Sequence, residues 1–207
     1  MYNNTPSFEF RGFSSYERKT FRQKKKTADP EKAKRRDIYE WIRSFISALI
    51  ICVILFVFFF RLIGVRSVSM NPTLYEGDMM LVSNLFYKPK PGDVVVFRSD
   101  TYDSEKALVK RVVATGGQKI NIDFINGVVY VDDQPIVEDY VAEPTYNKLD
   151  FVGPQTVPEG SIFVMGDNRN MSNDSRDKRI GMLDERLILG RAIMIVHPVD
   201  RLGFIKR

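Results

Sequence analysis

Cysteine and histidine are almost missing from this chain: Cys52 and His197 occur once each. A single cysteine rules out an intramolecular disulfide, and because it sits in an apolar block its isolation says little about redox compartment. No cysteine nucleophile is expected. The lone histidine precedes Pro198 and has no acidic partner at a telling spacing, so it reads as a strand-end residue rather than the base of a Ser-His-Asp triad. Basic excess is also absent from most of the chain: residues 1–43 hold 12 Lys/Arg against 6 Asp/Glu, whereas residues 44–207 hold 19 against 20. No internal repeat is present, and no long amphipathic helix follows the apolar block.

That block is the first positive feature. Residues 44–60 are 17 positions without a charge, rich in Ile, Val, Leu and Phe. Extended to residues 41–63, the stretch gives roughly 34 Å of helix at about 1.5 Å per residue, enough for a hydrocarbon core of about 30 Å. Arg43 and Arg61 can snorkel from its ends, and Trp41 suits an interface. No small-x-small cleavage site follows it directly, so it reads as an uncleaved anchor rather than a signal peptide. Eight Lys/Arg lie in residues 24–43 and two in residues 61–80. This bias predicts a cytoplasmic N-terminus and an extracytoplasmic C-terminal domain in the plasma membrane. The tail, residues 1–40, reads as mostly disordered and helical near the membrane. Its Lys24-Lys25-Lys26 and Lys34-Arg35-Arg36 runs fit a topogenic role beside the lipid bilayer, and no nucleic-acid partner is expected.

From residue 64 onward the pattern changes to short apolar runs divided by Gly, Pro, Asn and Asp. Residues 79–82, 93–97, 107–115, 119–125, 128–131, 161–165 and 187–196 read as strands, with Asn126-Gly127 as a two-residue type I′ hairpin turn. The predicted fold is mostly β: a partly closed antiparallel β-sheet domain, residues 64–207, attached to a single N-terminal transmembrane helix.

Three stretches carry candidate chemistry. Ser67-Val68-Ser69-Met70-Asn71-Pro72-Thr73-Leu74 follows the anchor so closely that Ser69 lies within about 27 Å of the membrane boundary even on a fully extended chain. A serine hydroxyl needs a base to become a nucleophile. Leu108-Val109-Lys110-Arg111-Val112-Val113-Ala114 supplies a candidate, since period-2 alternation sets Lys110 on one face with Leu108, Val112 and Ala114. An ordinary lysine is neutral in roughly one molecule in 2,500 at pH 7, so a useful base needs a downward shift of about three units, or about 4 kcal/mol. Burial on a dry sheet face acts in that direction. The alternative is an edge-strand lysine in solvent. The third stretch, residues 166–176, crowds acids and arginines with Gly, Asn and Ser. It reads as a calcium loop, though without the EF-hand order of ligands, as a tight structural turn, or as a framework of bidentate Asp–Arg pairs that holds a hydroxyl, with Ser172 the candidate.

Taken together, Ser69-Met70-x-Pro72-Thr73-Leu74 after one anchor, Lys110-Arg111-Val112-Val113, and Gly166-Asp167-Asn168-Arg169 through Ser172-x-Asp174-Ser175-Arg176 resemble the motif boxes of bacterial type I signal peptidases. The resemblance covers residues 40 to about 196, in the family's order. It implies a membrane-bound serine endopeptidase that removes N-terminal signal peptides from secreted preproteins without cofactor or metal. In that scheme Ser69 is the nucleophile, Lys110 the general base, Ser67 an oxyanion donor and Ser172 the residue positioning the lysine amine. Asp167 would pair with Arg111, and Asp174 with Arg176, as supports, while Met70 and Leu74 match positions lining the pocket before the cut. Two departures stand out: Asn170-Met171 replaces a more usual Asp-Asn, and residues 116–161 are compact, which predicts a reduced second β region. The competing readings are a soluble self-cleaving serine/lysine autoprotease, against which the anchor and the absence of a DNA-binding helical unit argue, and a membrane-tethered β module that only binds.

Overall fold

The structure, a computed structural model, describes residues 30–99 and 102–207. The described residues divide into two units, one ending at Ala48 and one of residues 49–207. Helix α1, Pro30–Phe59, begins within the predicted tail, whose first 29 residues lie outside the described part. Its stretch Lys34–Phe59, 26 residues long, is apolar and long enough to cross a membrane, and Ile51, Leu55 and Phe58 are all exposed. Apolar side chains in such numbers face water at high cost and lipid at none.

The helix stops at Phe59, four residues before the end of the expected span. Residues Phe60–Gly64 instead form strand β1, which pairs antiparallel with β2, Met79–Ser83, in the register Phe60↔Ser83 to Gly64↔Met79. A ready partner strand with free backbone groups wins over helix propagation here. The remaining strands are β3 Val94–Ser99, β4 Asp103–Thr115, β5 Lys119–Asp123, β6 Val128–Val131, β7 Gln134–Pro135, β8 Gln155–Thr156, β9 Ser161–Met165, β10 Leu183–Asp184, β11 Ile188–His197 and β12 Gly203–Phe204.

They form two antiparallel sheets: a large one in the order β1-β2-β11-β3-β4-β9-β10, with β12 added to β11, and a small one in the order β7-β6-β5-β8. Mostly β, antiparallel architecture is as the short apolar runs predict. Closure is not: each sheet is an open path whose end strands do not pair with one another.

Three apolar clusters hold the sheets. The first gathers Met70 and Leu74 with Met80, Val82, Val96 and Ile195. The second packs Ile120, Ile122 and Val129 of the small sheet on Phe151, Phe163 and Met165. A third surrounds Phe97, Val112 and Val164. The strict alternation expected through Ala114 breaks at a register shift between Val112 and Ala114, after which Val113 and Ala114 both join the second cluster. A bulge of this kind re-aims successive side chains to one side.

The hairpin signal at Asn126-Gly127 is right in place and wrong in type. Strands β5 and β6 end at the pair Asp123↔Val128, leaving a four-residue loop. The Asp123 carboxylate accepts hydrogen bonds from the backbone N–H groups of Ile125 (2.9 Å) and Asn126 (3.1 Å), and only Gly127 takes positive φ there, at 72°. An Asx turn thus displaces the two-residue turn.

Candidate active site

After β1 the chain reaches Ser67 in extended conformation and enters a single 3-10 turn, Val68–Met70, closed by the Asn71 N–H donating to the Val68 carbonyl at 3.1 Å. Met70 and Leu74 are completely buried, and their insertion into the first cluster fixes the turn to the sheet. Ser69 is left at the rim, 6% exposed. Strand β4 delivers Lys110, paired with Val95, to the same point. The Lys110 amine lies 2.6 Å from the Ser69 hydroxyl oxygen and also donates to the Val109 carbonyl at 3.0 Å. Ser67 completes the row, its Oγ 3.1 Å from that of Ser69.

Lys110 is 3% exposed, so the solvent-facing alternative falls. Loss of hydration holds its pKa down, from 10.5 to about 8. The charges of Asp174 and Asp167 push the other way, and Arg176 reinforces the drop. A neutral amine touching a serine hydroxyl is the state that can accept its proton.

The third stretch wraps this pair. Asn168 donates from its backbone N–H to the Ser69 carbonyl at 3.0 Å and from its side chain to the Val68 carbonyl at 3.1 Å. Gly166 permits the approach: a Cβ there would fall 2.5 Å from the Ser69 carbonyl oxygen and 2.2 Å from Ser172 Oγ. Asp167 accepts two parallel hydrogen bonds from Arg111, at 2.9 and 2.8 Å, and another from Thr73. Asp174 takes the same fork from Arg176, both bonds at 2.8 Å, and accepts from the Gly166 N–H at 3.0 Å. All four charged side chains are fully buried. Their acids serve arginines, which is the framework reading rather than the calcium reading. Among the described residues no cluster of three or more His, Cys, Asp or Glu side chains is arranged to hold a metal.

A groove of about 710 Å³ adjoins Ser67. Ile63, Val65 and Ser67 line one side, and Ala107, Leu108 and Val109 the other. Among the described residues both walls have unpaired strand edges: β1 pairs only with β2, and β4 meets β9 only from Arg111 onward. Such edges accept an extended peptide as an added strand.

A family model described as signal peptidase, peptidase S26, matches residues 38–197. The chain belongs to this signal peptidase family. It is 39% identical over 165 residues, 75% of this chain and 81% of the other, to a probable signal peptidase I-1 of Synechocystis sp.. Signal peptidase I of Bacillus licheniformis is 30% identical over 191 residues, covering 85% of this chain and 97% of that one. A solved signal peptidase I from Enterococcus faecalis is 27% identical, covering 51% of this chain and 97% of that one, with a TM-score of 0.43.

Of the residues the family resemblance singles out, Ser69, Lys110 and Ser67 come together, and Arg111 pairs with Asp167 and Arg176 with Asp174. Ser172 does not touch the amine: its hydroxyl is buried and has no hydrogen-bond partner. Met70 and Leu74 expose no surface to the groove. His197 ends β11 on the exposed surface, away from any role as base.

Three contributors escape the sequence reading. Thr73 bridges the segment of residues 67–74 to Asp167 and, at 3.3 Å, to Arg111. Arg169 is buried, donates from Nε to the Gly166 carbonyl at 3.1 Å, and forms an ion pair with Glu138. Tyr140 stacks on Arg111, 3.9 Å from guanidinium carbon to ring centre, and donates its hydroxyl to Glu138 at 3.0 Å. Glu138 and Tyr140 lie in a loop without motif character, and no local spacing links them to Arg111 or Arg169. Asn170, one of the family departures, has a contact of its own: its side-chain amide oxygen accepts from the backbone N–H groups of Tyr146 (3.0 Å) and Asn147 (3.1 Å).

Proposed function

We propose that this protein is a membrane-anchored serine endopeptidase that cuts N-terminal signal peptides from secreted preproteins, with Ser69 as nucleophile and Lys110 as general base. The observation that carries the proposal is the 2.6 Å contact between a buried, pKa-lowered lysine amine and a serine hydroxyl. The preprotein lies extended in the groove between residues 63–67 and 107–109, paired through its backbone with the free edges on either side.

Ser69 Oγ forms a bond to the carbonyl carbon while Lys110 Nζ takes the hydroxyl proton. The Ser67 hydroxyl donates to the developing oxyanion, an interaction worth about 3–4 kcal/mol. The carbon–nitrogen bond then breaks and the Lys110 ammonium returns the proton to the leaving amine. Neutral again, Lys110 deprotonates a water that attacks the ester, releasing the signal peptide's new carboxylate and restoring Ser69. Asp167, Asp174 and their arginines hold the frame, and Ser172 turns its unpartnered hydroxyl to the amine during turnover. Helix α1 anchors the enzyme in the plasma membrane, with the basic N-terminus cytoplasmic and the β domain outside, where translocated preproteins emerge.

Cleavage of a preprotein with a small-x-small site by the membrane-embedded chain is the test. Ser69→Ala and Lys110→Ala, checked for folding, should each lower the rate by about 10⁴-fold or more. Undiminished cleavage by either folded variant overturns the dyad. Protease added outside sealed cells should digest the β domain and spare residues 1–29; loss of the tail would reverse the topology.

A further inference from the structure

The eleven arginines of residues 60–207 divide into two groups. Eight pair with an acid, whether buried like Arg111 or exposed like Arg186. The other three, Arg61, Arg66 and Arg98, have no acidic partner among the described residues, and all three line the groove of about 710 Å³ beside Ser67. Among its lining residues there is no acid at all. A groove that gathers unpaired guanidinium groups is complementary to a carboxylate on whatever lies in it.

Period-2 alternation sorts the three. Arg61 shares its face with Ile63 and Val65, which pack in the first apolar cluster, and Arg66 takes the opposite face. Arg98 pairs with Ala107, and the next pair on that face, Val96 with Val109, belongs to the same cluster. Arg61 and Arg98 therefore stand on the face of the apolar floor. Both lie at the end of the groove away from Ser69 and Lys110, one on each side.

The direction of a bound preprotein follows from its own apolar segment, which precedes the cut and stays in the bilayer, at the end of the groove where α1 passes into β1. The peptide then runs alongside β1 in the same direction. With the carbonyl to be cut beside Ser67, the first, third and fifth residues before the cut fall at the levels of Ser67, Val65 and Ile63 and face the floor. The fifth lies one inward step from Arg61, about 7 Å, which an arginine side chain spans, and Arg98 reaches the same place from the opposite side. The geometry points to a specificity determinant: Arg61 and Arg98 select an acidic side chain at the fifth residue before the cut. This inference rests on the peptidase reading and on the groove as its peptide site. Because both guanidinium groups are exposed, the preference is a modest one, about fivefold for a carboxylate over its amide.

The test is cleavage by the full chain in neutral detergent micelles of one preprotein with a small-x-small site, carrying Glu, Gln or Lys at the fifth position before the cut. In kcat/KM, Glu should exceed Gln by about fivefold and Lys should fall below Gln, with the spread shrinking as salt is raised. Equal values for the three overturn the inference. So does the same ranking when the three residues are moved to the sixth position, whose side chain faces away from the floor, because a general field rather than these two arginines would then be its source. Arg61→Gln/Arg98→Gln should bring the Glu-to-Gln ratio to about one, and Arg98→Glu should turn the preference toward Lys. Each ratio is taken within one variant, so a loss of overall rate does not enter it. An unchanged ratio in either variant overturns the assignment, and the wild-type ranking at the two positions decides alone if a variant fails to fold. No cleavage of any of these preproteins by the wild type would instead overturn the peptidase reading, and this inference with it.

Discussion

Arg111 and Asp167 meet through two parallel hydrogen bonds of 2.9 and 2.8 Å with neither side chain exposed at all. The pair joins β4, which carries Lys110, to the loop that receives the Ser69 carbonyl, and Thr73 of the nucleophile segment bonds the same carboxylate. Breaking one partner leaves a buried charge uncompensated. Asp167→Asn should therefore cost about 3–5 kcal/mol in denaturant unfolding. The double variant Arg111→Met/Asp167→Leu should recover most of that stability and little of the cleavage rate, because apolar packing replaces the charges and not the geometry. Recovery of both would reduce the pair to a filler of space.

Lys110 makes two pH predictions. Cleavage under acylation-limited conditions should rise from pH 6 and level off above about 8, following the neutral amine. A flat profile would remove Lys110 as the base. Stability carries the second signature. The folded value lies below that of an unfolded lysine, so between pH about 8 and 10.5 the unfolded chain holds the extra proton and stability rises with pH. Below that window the buried ammonium costs about 3 kcal/mol. Lys110→Met should then be inactive, more stable than wild type at pH 7 by about that amount, and matched by wild type near pH 10.5. Urea unfolding of both at the two pH values decides it.

Much of this arrangement is legible in the chain because its signals are local. The apolar block of residues 44–60 lies almost wholly in a helix long and apolar enough to cross a membrane, the short apolar runs at 79–82, 93–97 and 161–165 fall on strands, and the two Asp–Arg forks lie within or between recognisable stretches. What was not legible depends on partners distant in sequence. Phe60–Gly64 looks like the end of a helix and becomes a strand because Met79–Ser83 lies beside it. The role of Met70 and Leu74 turns on which side of the 3-10 turn and of the short loop after it meets the core, and periodicity has no say over so short a stretch. Tyr140 reaches Arg111, and Glu138 reaches Arg169, across sequence gaps of about thirty residues, which no composition or spacing announces.

Ser67 offers a kinetic test separable from folding. Its hydroxyl lies 3.1 Å from that of Ser69, and in the proposed mechanism it donates to the oxyanion. An interaction that strengthens only as charge develops appears in kcat and not in KM. Ser67→Ala should lower kcat by about 10²–10³-fold with KM nearly unchanged. Equal losses in both would instead mean that Ser67 helps to bind the peptide in the groove.

Ser172 poses the sharpest contrast between the resemblance and the structure. Its hydroxyl is buried, unpartnered, and pressed toward Gly166 rather than bonded to the amine. An unsatisfied buried hydroxyl destabilises a fold by about 1–3 kcal/mol, so Ser172→Ala should unfold no more easily than wild type and at a higher urea midpoint if the penalty is fully relieved. A hydroxyl kept at such a cost has its use elsewhere. If it turns to hold the Lys110 amine during turnover, the same variant loses kcat while KM holds. Lower stability with undiminished kcat would mean the opposite: a structural residue with no part in the reaction.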